Sequence, residues 1–302
     1  MEIKKFEPIN TPVVLIEDEK NNKIYLKDET KQYTNAFKYR GVYNKFSSID
    51  LDKYEAVITA STGNHGQAVS LCAKLYNIKC YIVLPFNTPR IKKEKILKNN
   101  AELIMQNDLK TYNQCQEYAV ELADKYNYLY IPSFDDYDVI EGHKKMFEEI
   151  KIYGDFDYCF CPVGGGGLIS AALTSEYLCK TNIIGVEIEN NDAMKQSLQE
   201  KERVFIDLNI PEEASFCEGI LVSQIGKIPF EIAKQKGLII KTVTIKETEN
   251  AIRKLANMDI VAEGAGAASL AAVLKSDISN KKILCIVSGG NIDDDVFEEI
   301  VN

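Results

Sequence analysis

Four short runs of this 302-residue chain carry residue types and spacings able to do chemistry. The first is Gly164-Gly165-Gly166-Gly167, set between the apolar Tyr158-Cys159-Phe160-Cys161-Pro162-Val163 and the helix-forming Leu168-Ile169-Ser170-Ala171-Ala172-Leu173. Residues without side chains let successive N–H groups converge on an anion, and the helix that follows adds its positive end, so the run reads as a phosphate cradle. No Lys-Ser/Thr follows as in a Walker loop, and the GxGxxG register of a dinucleotide site fails at Ile169. A tight turn is the competing reading of glycines alone. The second run is Ser61-Thr62-Gly63-Asn64-His65-Gly66-Gln67, directly after the strand-type Ala56-Val57-Ile58-Thr59. Hydroxyls, an amide and free N–H groups at a helix start suit a carboxylate or an oxyanion. The plainer alternative is an N-cap with a solvated loop, His65 being a structural hydrogen bonder.

The third run, Thr34-Asn35-Ala36-Phe37-Lys38-Tyr39-Arg40-Gly41, sets one lysine among aromatic residues. Desolvation there lowers an amine's pKa and favours the neutral form that Schiff-base chemistry needs, against the default of a solvated surface lysine. The fourth, Val287-Ser288-Gly289-Gly290-Asn291, is a strand end opening into a turn and has meaning only in combination.

The elements that must position these runs follow an α/β alternation from about Glu55 onward. Strands are expected at Ala56–Thr59, Cys80–Leu84, Leu103–Met105 and Tyr128–Ile131, with helices at His65–Tyr76, Arg90–Lys98 and Thr111–Tyr126 between them. A second series holds a helix from Tyr137 to Ile150, the strand Tyr158–Val163, a helix through Ala171 and Leu178, and the strand Ile183–Glu187. Leu238–Ile245, a helix at Glu247–Ala256, an alanine-rich helix at Gly266–Leu274 and the strand Ile283–Val287 complete it. With no repeat or long linker, two packed domains with a cleft between them are expected, and sites belong at the carboxyl ends of the strands.

Composition narrows the class. Lys and Arg number 36 against 45 Asp and Glu, a net charge of −9, so the basic footprint of a nucleic-acid binder is missing. No run reaches the ~20 apolar residues of a membrane span. The start, Met1-Glu2-Ile3-Lys4-Lys5-Phe6-Glu7-Pro8, has no apolar segment of a secretory signal, which points to the cytoplasm. The cysteines, Cys72, Cys80, Cys115, Cys159, Cys161, Cys179, Cys217 and Cys285, form no CxxC pair, and His65 and His143 are the sole imidazoles, so buried thiols are expected and no metal site.

Taken in order, Phe37-Lys38-x-Arg-Gly, Ser-x-Gly-Asn-His, the tetraglycine loop with Leu168 and the terminal Ser-Gly-Gly-Asn resemble the fold type II pyridoxal-phosphate enzymes, most closely the serine/threonine dehydratase and serine racemase branch. The resemblance spans nearly the whole chain, including Glu218-Gly219 and Ala262-Glu263-Gly264-Ala265-Gly266-Ala267. It implies two domains, each an open, mostly parallel sheet flanked by helices, with pyridoxal 5'-phosphate in the cleft. The expected boundaries are 1–52 with 135–302 for a large cofactor-binding domain and 53–134 for a small one. It further implies that Lys38 holds the cofactor covalently and removes the Cα proton, that Phe37 backs the ring, and that Asn64 donates to the ring oxygen. Gly164, Gly165, Gly166, Gly167 and Leu168 would bind the phosphate, and Ser288 would meet the pyridine nitrogen. The substrate carboxylate would sit against Ser61, Thr62, Asn64 and His65, with Ser61 and Thr62 as further catalytic candidates and Gly219 facing the β-substituent. A serine at the pyridine nitrogen does not enforce a pyridinium, which favours expulsion of a β-leaving group.

The resemblance therefore implies a homodimeric ammonia-lyase acting on an amino acid, L-serine or L-threonine, and yielding a 2-oxo acid and ammonia. An amino-acid racemase, a β-replacement synthase and a lyase for an acidic hydroxy amino acid such as hydroxyaspartate are the alternatives. Thr62 departs from the second serine of racemases, and Lys144 and Lys145 stand where relatives carry a Gly-Thr-type pair. One of these lysines could reach the cleft and select an acidic substrate, or both could lie on a solvated helix start. Glu187 matches half of a racemase-type cation pair, but Ala193 stands six residues later, with Asp192 one step off. The end at Asn302 leads to the expectation of no appended regulatory domain.

Overall fold

The computed structural model describes residues 6–208 and 212–302. Its larger sheet begins before the expected alternation, with β1 (Val13–Glu17) antiparallel to β2 (Lys23–Asp28). A helix, α1 (Lys38–Ser48), then leads into a four-stranded, all-parallel sheet made of β3 (Ala56–Ala60), β4 (Cys80–Val83), β5 (Glu102–Ile104) and β6 (Tyr128–Tyr130), in the order β5-β4-β3-β6. Every residue of β3 is buried, as a central parallel strand covered on both faces must be. The covering helices are α2 (Asn64–Tyr76), α3 (Arg90–Leu97) and α4 (Tyr112–Tyr126). Thr111 and Gln114 close a reciprocal capping box on α4, and Asn127 ends it in the left-handed conformation.

The chain then returns to the larger sheet through α5 (Tyr137–Glu149), β7 (Tyr158–Pro162), α6 (Gly167–Thr174), β8 (Asn182–Ile188), α7 (Ala193–Glu200), α8 (Lys227–Lys236), β9 (Ile239–Val243), α9 (Ile245–Ala256), α10 (Gly264–Lys275), β10 (Lys282–Val287) and α11 (Asp294–Val301). The strand order is β1-β2-β10-β7-β8-β9, parallel except at β1. The expected helix through Leu178 stops at Thr174 and gives way to a 3-10 turn at Glu176–Leu178, because Ser175 caps the new turn through its side chain. Likewise α9 starts at Ile245, before the expected Glu247, since Glu247 is the third residue of a capping box with Thr244.

One core lies under α9, α10 and α11 and a second under α5 to α8, on the two faces of the large sheet. The helix α1 serves both sheets: Tyr39, Val42, Tyr43 and Phe46 join the small-sheet core, while the helix also packs on α5. All eight cysteines are free thiols and seven are buried, Cys179 being the exposed one. Among the described residues no helix is long and apolar enough to cross a membrane.

Candidate active site

A cleft of about 640 Å³ brings all four sequence runs together. The third and fourth are zipped to each other by backbone: Phe37 N–H donates to Ser288 O (3.0 Å), Gly290 N–H to Asn35 O (2.9 Å), and Ala36 pairs with Gly289. Just before them Thr34 and Asn35 lie at φ 62° and 54°. A β-branched residue adopts that left-handed region only under constraint. The chain thereby enters α1 with Lys38 as its first residue. Lys38 Nζ donates to Ser133 O (2.7 Å) and lies 5.2 Å from the centroid of Phe37 and 6.0 Å from that of Phe134. Burial lowers the amine from 10.5 to about 8, with the Glu263 carboxylate opposing the shift. The Phe37 ring also packs, tilted, against that of His143, centroids 4.7 Å apart. Burial, with the charge of Lys38, keeps that imidazole neutral.

Gly164, Gly165, Gly166, Gly167 and Leu168 line the same cleft at the end of β7. A Cβ on Gly165 would stand 2.1 Å from the Phe134 ring, and Gly166 sits at φ 99°, so the run must be glycine for packing and for backbone conformation alike. Among the described residues no acceptor takes the N–H groups of Gly164, Gly165 and Gly166, and the first N–H groups of α6 are unpaired by helix geometry. Ser288, buried at the end of β10, donates to Ala265 O (3.2 Å) and also faces the cleft.

In the second run, Ser61 Oγ accepts from Gly63 N–H (3.2 Å) and Gly66 N–H (3.0 Å), so this hydroxyl fastens the start of α2 while keeping its own proton to donate. Thr62 lines the cleft. Asn64 donates through Nδ2 to Glu263 Oε1 (2.6 Å) and accepts through Oδ1 from Asn291 Nδ2 (2.6 Å). His65 Nε2 lies 3.0 Å from Ile131 O and 3.1 Å from Thr59 Oγ1. That is the structural role of the plainer reading, and it leaves Nδ1 without a partner among the described residues. Burial, reinforced by Lys38, lowers this imidazole to about 3, so it acts as a neutral group. Gly219 lines the cleft opposite the glycine run, its O 3.0 Å from where a Gly164 Cβ would stand.

Several cleft residues had no role in the sequence reading. The loop Ser133-Phe134-Asp135 supplies the carbonyl for Lys38, the ring against Gly165, and a carboxylate that accepts from Lys227 and Ile228 N–H at the start of α8. Nothing in its sequence marks it. Glu263 is buried and raised from 4.5 to about 7 by that burial, the Asn64 bond opposing. A glutamate inside an otherwise small-residue run was the one available signal.

The structure places two features whose role the sequence left open. Neither Lys144 nor Lys145 reaches the cleft. Lys144 pairs with Glu141 at 2.7 Å on the α5 surface, and Lys145 borders a separate hollow beside Tyr43 and Asp50. The helix turns its apolar side, Val139, Ile140, Met146 and Phe147, inward and these lysines outward. Besides Lys38, the lysines that line the cleft are Lys92, Lys95 and Lys110. The Glu187 carboxylate is committed to the start of α7, accepting from Met194 N–H (2.8 Å) and Lys195 N–H (3.0 Å). Asp192 holds Lys195 and Gln196 rather than joining Glu187.

Comparison with known proteins decides the family. The profile described as pyridoxal-phosphate dependent enzyme matches residues 5–289. The chain belongs to that family. It is 33% identical over 287 residues to the L-threonine ammonia-lyase of Thermotoga maritima, covering 92% of this chain and 70% of that one. Among solved structures it is similar to the processed form of threonine deaminase isoform 2 from Solanum lycopersicum, with TM-score 0.88 and 32% identity over 99% of this chain and 89% of that one. A serine racemase from Dictyostelium discoideum gives TM-score 0.83 and 30% identity, over 96% and 95% respectively. The cofactor of the family is pyridoxal phosphate, and the residues present fit it. A phosphate needs the free N–H groups of the glycine run, and an aldehyde needs an amine that gives up its proton more readily than a solvated lysine, which Lys38, lowered to about 8, supplies.

Proposed function

We propose that the chain is a β-eliminating ammonia-lyase of the L-serine/L-threonine dehydratase type, converting a hydroxy amino acid to a 2-oxo acid and ammonia. The observation that carries this reading is the Lys38 amine, lowered to about 8, in one cleft with an unpaired glycine-run donor set and with a serine, not a carboxylate, at position 288. Gly164 to Gly167 and Leu168 would hold the cofactor phosphate, Phe37 its ring, Asn64 its ring oxygen and Ser288 its nitrogen. Bound there, pyridoxal phosphate supplies an electron sink for charge developing at the substrate Cα. Lys38 Nζ takes the Cα proton. Ser61 and Thr62 hydroxyls and the backbone N–H of Asn64, at the free first turn of α2, would hold the carboxylate, with the neutral His65 beside them adding no second cation. Gly219 leaves room for the β-substituent.

Around this site, 53–134 is the small domain and 1–52 with 135–302 the large one, in a cytoplasmic homodimer. Free thiols throughout suit a reducing compartment. The test is 2-oxo acid release by cofactor-saturated protein from L-threonine and L-serine, with Lys38→Ala as control. Release that depends on Lys38 is expected. Silence on both substrates in a protein that holds cofactor overturns the lyase reading. A racemase reading draws on Thr62, whose hydroxyl lines the cleft and makes no hydrogen bond among the described residues. It requires solvent deuterium at Cα of recovered substrate. The acidic-substrate alternative loses its basis in Lys144 and Lys145, which stand outside the cleft.

A further inference from the structure

Glu263 occupies the N-cap position of α10 but makes no side-chain bond to its own helix. An N-cap side chain ordinarily accepts from the first turn. This one reaches instead to a residue 199 positions away, accepting a hydrogen bond from Asn64 Nδ2 at 2.6 Å. The space it occupies is kept open by glycine: a Cβ on Gly289 would lie 2.8 Å from Glu263 Oε1 and 3.3 Å from Asn64 Nδ2. On the other side of the amide, Asn291 Nδ2 donates to Asn64 Oδ1 at 2.6 Å and to Thr34 O at 2.7 Å. Asn291 thus ties Asn64 to the strained turn that delivers Lys38.

A primary amide has two nearly isosteric orientations, and only its partners choose between them. An acceptor at Nδ2 and a donor at Oδ1 exclude the flipped form, in which carboxylate would face carbonyl and N–H would face N–H. With one Nδ2 proton used by Glu263, the second is the donor left for a ligand in the cleft. We propose that Glu263 and Asn291 are positioning residues that lock the Asn64 amide in its donor-presenting orientation. The inference rests on the reading that Asn64 binds the cofactor, and it assigns roles to two residues that touch neither cofactor nor substrate in that reading. The glycines of Ser288-Gly289-Gly290-Asn291 then have a second purpose besides turning the chain, because Gly289 admits the carboxylate.

The test is cofactor affinity by equilibrium dialysis, with thermal unfolding of each apo variant, on Asn64→Ala, Glu263→Ala, Glu263→Gln, Asn291→Ala and the double variant Asn64→Ala/Glu263→Ala. Loss of an oriented, partly buried hydrogen bond should weaken cofactor binding ~10-fold in Asn64→Ala and by a similar factor in Glu263→Ala. Glu263→Gln keeps an acceptor for Nδ2 and should rescue affinity to within ~3-fold of wild type. In the Asn64→Ala background the Glu263→Ala change should add less than ~2-fold, since residues that act through one contact are not additive. Independent, multiplying losses overturn the inference and leave Asn64 as a cofactor ligand. Unchanged affinity in Asn64→Ala overturns the underlying reading of Asn64 as well, so the two failures are told apart. A Glu263→Ala protein that does not fold leaves the Glu263→Gln and Asn291→Ala results to decide. Rescue by glutamine together with a loss in Asn291→Ala supports the lock, and no loss in Asn291→Ala overturns it.

Discussion

Two clusters of buried ionisable groups lie within a few residues of Lys38, and they obey opposite rules. In the first, Arg40 gives Nε to Glu29 Oε2 (2.7 Å), Nη1 to Glu149 Oε1 (2.6 Å) and Nη2 to Glu29 Oε1 (2.9 Å). Lys27 pairs with Glu149 and donates to Thr11 O (2.7 Å), and Thr11 Oγ1 donates to Glu29 Oε1 (2.6 Å). Two cations meet two carboxylates, and the paired carboxylates drive the guanidinium further up against its burial. In the second, Lys38 has one carbonyl, Glu263 one amide, and His65 a ring nitrogen with no partner among the described residues. The first cluster anchors α1 and α5 to β2. The second keeps its hydrogen-bonding capacity unspent, which is how a site that awaits a ligand differs from a joint.

The sharpest way to break the comparison is to remove one cation from each side. Lys38→Ala should cut 2-oxo acid release at least ~10³-fold, since base and anchor vanish together. Its unfolding temperature should not fall, because an amine held below its usual pKa by burial is disfavoured there in its charged form. A variant retaining a tenth of the activity would move the base elsewhere. Arg40→Met should do the reverse. It leaves the buried Glu29 without its guanidinium and Glu149 with Lys27 alone, at a cost of about 3–5 kcal/mol in urea unfolding. A cost under ~1 kcal/mol would mean that the first cluster relaxes easily and is no anchor.

A pH experiment sharpens the same contrast. The Lys38 amine loses its proton near pH 8, below its unperturbed 10.5, and only the neutral amine is nucleophilic. Cofactor capture by the apo protein should therefore accelerate as pH rises through about 8 and level off above it, followed by stopped-flow absorbance. Acceleration that continues towards ~10 would show an amine solvated like any other.

How much of this was legible depended on the length scale of the signal. The tetraglycine run, Lys38 among aromatic residues and the Ser61 to Gln67 turn each declare a local chemistry, so the parts of the cleft could be named before any fold was known. The strands and helices after Glu55 were equally local, being set by apolar alternation, helical spacing and capping residues. What escaped was set by distant partners. The strand β2 buries Lys27, which makes sense only once Glu149, far along the chain, supplies a partner. Glu263 looked like one more polar residue in a small-residue run until Asn64 was found 199 positions away. For Lys144 and Lys145 the sequence left a cleft role and a solvated helix start both open, because only the packing of α5 shows that it turns both away from the cleft.

The smallest expected effects lie at the cleft mouth, where pairing resembles neither cluster. Lys92 meets Glu218 at 2.5 Å and Lys95 meets Asp293 at 3.5 Å, each joining α3 of the small-sheet side to the large-sheet side across the opening. These side chains keep 22 to 45% of their exposure. Water screens such pairs, so each should contribute at most ~1 kcal/mol, unlike the dry Arg40 pair. Their effect should fall on how readily the two sides come together around substrate rather than on folding. Lys92→Ala and Lys95→Ala should leave urea midpoints in place and raise KM ~2–5-fold with kcat nearly unchanged, within the worth of an exposed pair. Added salt should raise the wild-type KM in the same direction and do little to the double variant, because the screened charges are then already gone. A kcat that falls with KM unchanged would place these lysines on the reacting groups instead, and the mouth would have to be counted with the second cluster.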